Sequence, residues 1–156
     1  MEQRMQPVDP ARLLEEYRTL LETADQLPLR VSGNSMAPFL VHDRDTVFLT
    51  RVNRPLRRGD IVLYRRKTGA YILHRICGAK GDLFSMVGDA QTRIEYGIGR
   101  EQIFAVVCSA LRKGRRQKPG CFWWDFFEKI WVRIIPVRPV LLRTYGGLKR
   151  IIRRIE

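Results

Sequence analysis

A serine hydroxyl does covalent chemistry only when a base takes its proton. In "LRVSGNSMAPFLVHDRD", Leu29 to Asp45, Ser35 and Met36 stand together, with Gly33 two residues before the pair's serine and Pro38 two residues after its methionine. The segment has neither helical nor strand periodicity, so it reads as a bend that exposes Ser35. The chain holds two histidines, His42 and His74. His42 lies in a polar turn and reads as a solvated loop residue. His74 lies in "YILHRI", where strand alternation puts Tyr71, Leu73 and Arg75 on one face and Ile72, His74 and Ile76 on the other. An imidazole between two isoleucines is partly desolvated and stays neutral near pH 7, the state a general base needs. Such a ring needs an acid to orient it. "MVGDAQTRIEYG" offers Asp89 first and Glu95 beyond it. Asp45 and Asp60 read as turn aspartates. The chemistry these residues can do is nucleophilic catalysis of the Ser-His-acid kind, with a rate that falls as pH drops through the histidine range, about 6.5.

Several short elements must position them. "DPARLLEEYRTLLETAD", residues 9–25, has Leu13, Leu14, Tyr17, Leu20 and Leu21 on one helical face, with Asp9 as cap and Pro10 in the first turn. From Leu29 to Arg112 the runs "DTVFLTRV", "DIVLYRR", "AYILHRI", "LFSMVGD" and "QIFAVVCSALR" alternate with turn signals at Arg58-Gly59-Asp60, Lys67-Thr68-Gly69 and Lys80-Gly81-Asp82. That spacing predicts a mainly β fold, a compact antiparallel barrel-like domain, with the helix in front and amphipathic helices behind. Residues 113–121 read as a basic linker. The tail, 122–156, returns to helical periodicity in "CFWWDFFEKIWVRII". After Pro136 and Pro139 comes a second amphipathic stretch bearing Leu141, Leu142, Tyr145, Leu148, Ile151, Ile152 and Ile155. The layout is therefore an N-terminal helix (1–28), a β domain (29–112), the linker and the helical tail.

Composition narrows the classes. The 156 residues carry 29 Lys+Arg against 16 Asp+Glu, a net charge of +13, which points to an anionic partner surface. Three cysteines, without a CxxC or a Cys/His cluster, argue against a disulfide framework or a zinc site. No metal or cofactor is expected, and reduced thiols suit the cytoplasmic side of a membrane. No run is apolar enough to span a membrane. The aromatic tail and the cluster Arg112, Lys113, Arg115, Arg116 and Lys118 suit peripheral contact with anionic lipid.

Four of these segments, in order, resemble the signal peptidase I family. "VSGNSMAPFL" is similar to its nucleophile box, "RRGDIVLYRR" to the Gly-Asp strand that follows, "LHRI" to the base-bearing strand, and "MVGDAQ" to the later Gly-Asp box. The resemblance covers about Leu29 to Arg112. Most bacterial members place a lysine at the base position, whereas His74 is similar to the base of the endoplasmic-reticulum-type members. The resemblance implies a serine endopeptidase with Ser35 as nucleophile and His74 as base. Asp89, ahead of Glu95, would be the acid. The Ser35 N–H would donate to the oxyanion, with Gly33, Asn34 and Met36 lining the oxyanion and substrate site. Gly33 stands where some members have a donating serine, so a second donor must come from elsewhere. Typical members also carry an N-terminal membrane anchor, and a short charged helix stands in its place. The implied substrate is a precursor or leader peptide with small residues beside the scissile bond, added as an extended strand. The implied location is peripheral, on the membrane of a prokaryotic cell.

Self-cleaving repressors pair a related domain with a DNA-reading unit. The stretch before Leu29 is too short for one, and no nucleic acid partner is expected. Two other readings use the same features: a non-catalytic peptide-binding or maturation-assisting module, and a membrane-surface adaptor working through its tail.

Overall fold

The predicted strands pair into one antiparallel sheet. The computed structural model describes residues 10–155, with side chains at position 12 and over 14–146. Helix α1 (Pro10–Leu20) leads into β1 (Leu27–Arg30), β2 (Thr46–Thr50), β3 (Ile61–Arg65), β4 (Tyr71–Lys80), β5 (Leu83–Val87), β6 (Glu95–Gly99), β7 (Ile103–Arg112) and β8 (Arg115–Gln117). Helices α2 (Phe122–Lys129) and α3 (Arg138–Ile155) follow, joined by 3-10 turns at Trp131–Arg133 and Ile135–Val137. The strand order is β1-β2-β7-β3-β4-β5-β6, and β8 pairs with β7.

The sheet stays open, which corrects the expected barrel: β1 and β6 are its two edges and do not pair. The edge strands explain this. Pro28 has no N–H to give in β1, and Gly97, at φ +75°, interrupts β6. Neither offers an unbroken ladder to the other. The pairings carry register shifts at Phe48/Leu49, Leu63/Tyr64, Ile76/Gly78 and Phe84/Met86, which increase local twist.

Both faces of the sheet bury apolar side chains, and all of Ile61–Tyr64 in β3 are buried. On one face Ile61, Leu63, Ala105 and Val107 pack under Leu14 and Leu21, under Met36, Phe39 and Leu40 of the serine segment, and under Trp124, Phe127 and Trp131 of the tail. On the other, Val62, Tyr64 and Ile76 pack with Met86, Ile98 and Val106. At roughly 25 cal/mol per Å² of apolar surface removed from water, this burial is the main force holding the serine segment to the sheet.

The ends differ from expectation in detail. Helix α1 is shorter than 9–25, and Leu20 is left exposed. Asp9, expected as its cap, and the Leu13 side chain lie outside the described residues, as do the side chains of Leu148, Ile151, Ile152 and Ile155. The expected linker is a hairpin. Arg112 pairs with Arg115 across Lys113 (φ 49°) and Gly114 (φ 74°), two residues both in the left-handed region, as a tight two-residue turn requires. The expected helix over 122–135 is divided after Lys129, because Trp131 and Val132 both turn into the core.

Candidate active site

Hydrophobic anchors and backbone bonds fix Ser35. Met36, Phe39 and Leu40 are buried, while Ser35 itself is half-buried. Val31 N–H donates to Asp45 O (3.0 Å), closing the segment at its base. The Ser35 carbonyl accepts the Ala90 N–H at 2.9 Å. Gly88 approaches the same carbonyl so closely that a Cβ would come within 2.5 Å of it. The turn at Gly88–Gln91 therefore grips the backbone of Ser35, and only glycine at position 88 permits it. Neither the N–H nor the hydroxyl of Ser35 has a hydrogen-bond partner among the described residues.

His74 and Ser35 line one cavity of about 210 Å³, with Val31, Met36, Arg66 and Gln91 on its wall. Arg66, His74 and Gln91 also line a second cavity of about 700 Å³, bounded by Thr92–Glu95. His74 stands opposite Val62 in β4 and is buried on the Ile72/Ile76 face that alternation assigns it. Burial, reinforced by the positive charge of Arg66, pulls its pKa down to about 4 against the weaker pull of Glu95 and Asp89. The imidazole is neutral at pH 7.

Of the two carboxylates, Glu95 and not Asp89 joins the hydrogen bonds around His74. Both Asp89 oxygens are taken by Arg75, Nε–Oδ1 at 2.9 Å and Nη2–Oδ2 at 2.8 Å. Arg75 also donates to Gly59 O at 2.8 Å. The pair is buried, and alternation puts Arg75 on the face of β4 away from His74. Asp89 is thus the partner of a buried guanidinium and makes no hydrogen bond to His74. Glu95 reaches His74 through Tyr64. The Tyr64 hydroxyl donates to Glu95 Oε2 at 2.8 Å and lies 3.4 Å from His74 Nδ1. With its proton committed to Glu95, the hydroxyl oxygen is left to accept from Nδ1–H. That selects the tautomer whose Nε2 lone pair is free. Arg66 chelates Glu95 at 2.7–3.0 Å. Burial works against ionising Glu95, but the hydrogen bonds from Arg66 and Tyr64 outweigh it and hold the carboxyl below its ordinary pKa. Burial, and then Glu95, push the Tyr64 phenol well above its ordinary value, so it remains a donor.

Sequence reasoning missed Tyr64 and Arg66. "DIVLYRR" held a usable signal, since a period of two puts Val62, Tyr64 and Arg66 on one side of the strand.

The remaining residues fall apart by role. Gly33 lines the smaller cavity, but its N–H is bound to His42 Nδ1 at 3.0 Å, so it cannot serve as an oxyanion donor. Asn34 is exposed, and its carbonyl accepts the Ala37 N–H. Met36 contributes a buried wall. His42, read as a solvated bystander, fixes the turn at Gly33, and its Nε2 lies 3.1 Å from Asp43. Asp45 and Asp60 are turn residues: Asp45 accepts from Val41, Lys113 and Arg44, and Asp60 from Arg54 and Arg57. Among the described residues no cluster of His, Cys, Asp and Glu could hold a metal ion. Compared with protein-family models, curated proteins and solved structures, the chain matches none.

Proposed function

We propose that this chain is a serine endopeptidase of the signal peptidase I kind, cleaving a precursor or leader peptide at a membrane surface. Ser35 is the nucleophile, His74 the base, and Glu95 the acid acting through Tyr64. One observation carries the reading. A serine hydroxyl without a partner and a histidine held neutral line the same cavity, and a separate turn pins the serine's backbone.

The chemistry follows. Ser35 Oγ attacks the scissile carbonyl while its proton passes to His74 Nε2. The carbon–nitrogen bond then breaks, and His74 returns the proton to the leaving amine. Water, activated by the same ring, releases the acyl group from Ser35. The imidazolium formed in each half-reaction is stabilised by the Tyr64–Glu95 pair. The free Ser35 N–H, and Gln91, a residue that lines both cavities, supply the oxyanion donors. The larger cavity accommodates the peptide beside His74.

Membrane contact is supported by the tail. Phe122 is 72 % exposed and Val140 61 %, with Trp123, Ile130 and Leu141 also exposed. No helix among the described residues is long and apolar enough to cross a bilayer, so this is surface contact.

The test is incubation of the purified protein with a library of precursor peptides carrying small residues near the cleavage point. Ser35→Ala and His74→Ala are each expected to lose cleavage while retaining the wild-type unfolding transition. Full activity in either variant sinks the peptidase reading and leaves a peptide-binding module.

A further inference from the structure

Arg138 is fully buried, yet no carboxylate lies within ion-pair distance of it among the described residues. Burial is the main influence lowering its pKa. Taking a guanidinium out of water is costly, and an apolar side chain of similar volume is often as stable in such a place. The bonds it makes therefore matter. Nη1 donates to Gly88 O at 2.9 Å and to Gln91 O at 3.0 Å. Nε and Nη2 donate to Trp131 O at 3.2 and 2.8 Å, and the guanidinium lies 5.4 Å from the Trp131 ring centroid. Trp131 Nε1 in turn donates to Asp89 O at 2.8 Å.

These bonds converge on one turn. Three of its carbonyls, at Gly88, Asp89 and Gln91, are held by donors from the tail. The N–H between them, at Ala90, is the one bonded to Ser35 O, and Gly88 is the residue pressed against that same oxygen. The turn is thus a rigid spacer with the tail on one side and the nucleophile's backbone on the other. Arg138 is also the first residue of α3, a buried start to a stretch whose next three residues are exposed.

We propose that Arg138, seconded by Trp131, is a positioning residue for Ser35, so that the C-terminal segment completes the active site. The catalytic consequence rests on the peptidase reading above, whereas the hold on the Ser35 backbone does not. A lysine cannot replace it, because one ammonium cannot span three carbonyls in a fixed fork.

The test uses the full chain with Arg138→Met, Arg138→Lys and the milder Trp131→Phe. Amide hydrogen exchange is read at Ala90 and, as a control, at Val62 and Leu63 in the core. The expected result for Arg138→Met is exchange at Ala90 about tenfold faster or more with the core amides unchanged. Cleavage should show kcat lowered on the order of 10²-fold at near-constant KM. Arg138→Lys should restore little of either. If Arg138→Met does not fold, Trp131→Phe is read in the same way, with a smaller expected change. Wild-type exchange at Ala90 in a folded variant overturns the proposal, as does an acceleration spread equally over the core, or an unchanged kcat. If the wild type cleaves no peptide, the peptidase reading fails while the Ala90 measurement still decides whether the tail holds Ser35.

Discussion

With its pKa drawn down to about 4 by burial and by Arg66, His74 is largely neutral from pH 5 upward. Cleavage is therefore expected to be level between pH 7 and 5 and to fall only near pH 4, well below the 6.5 that an ordinary histidine suggests. Arg66→Gln removes a charge that lowers this pKa and should shift the acid limb upward. An acid limb that stays in place across the two proteins, or one near 6.5 in the wild type, counts against His74 as base. The same shift fixes the sign for stability. Between pH 6.5 and 4 the unfolded chain binds a proton at His74 that the folded chain refuses. Stability is then present above 6.5 and is lost as pH falls, by roughly 3 kcal/mol in all. Denaturant titrations at pH 7 and 5 should show part of that loss, and His74→Gln should abolish it. The two acids separate by kind of damage. Asp89→Asn strands Arg75 as a buried charge and should destabilise by about 3–5 kcal/mol. Glu95→Gln breaks a partly exposed pair and should cost about 1 kcal/mol or less, yet slow cleavage on the order of tenfold or more. The reverse pattern in melting and rate measurements overturns the assignment. Sequence exposed Ser35 and His74 because the bend and the strand alternation are local signals. The partner of Asp89 was not legible, because that partner, Arg75, is the very next residue to His74 and faces the other way. Tyr64 escaped notice because its contact with His74 depends on the register Val62↔His74, which no local spacing reveals.

Elements were legible where a β-rich run lay between turn signals. "DIVLYRR" and "AYILHRI" are such runs and form β3 and β4, and the period of two then assigns His74 its face. Closure of the sheet was not legible, because it depends on whether two edges distant in sequence, β1 and β6, meet and exchange ladders. The basic run from Arg112 to Lys118 concealed a hairpin, since its charge overshadowed the Lys113-Gly114 turn. Two of its charges are committed to structure: Arg112 donates to Phe39 O at 2.7 Å, and Arg116 to Ser109 Oγ at 2.9 Å. Where elements meet, the contact between Gly88 and the Ser35 carbonyl is the tightest junction in the site. Gly88→Ala would place a methyl 2.5 Å from a backbone oxygen that cannot swing away like a side chain. The serine segment, anchored by Phe39 and Leu40, must then shift. The expected result is kcat lowered by about 10²-fold with destabilisation of about 1–3 kcal/mol. A Gly88→Ala variant with wild-type kcat would show that the grip on Ser35 is not needed.

At the scale of the whole molecule, the charge of +13 and the exposed apolar side chains bear on one question, what the protein rests against. Seven of the eleven exposed large apolar side chains among the described residues lie between Phe122 and Tyr145, so the apolar surface is concentrated on the tail. Yet the tail cannot be removed to test its role, because Trp124, Phe127 and Trp131 belong to the same core as Met36 and Phe39. Point changes at exposed positions avoid that confusion. Phe122 and Trp123 lie against each other with ring centroids 5.1 Å apart and are both largely outside the core. Replacing them together by serine should leave the fold intact. If they enter the interfacial region of a bilayer, about 1.5–3 kcal/mol per side chain is lost with each, more than tenfold in vesicle partitioning. Binding to vesicles containing anionic lipid should exceed binding to zwitterionic vesicles and weaken as salt is raised, since exposed Lys113, Arg115 and Lys118 act through a screened field. Equal partitioning of the wild type and the double variant, measured by co-sedimentation at low salt, would remove the membrane from the account while leaving the Ser35–His74 site untouched.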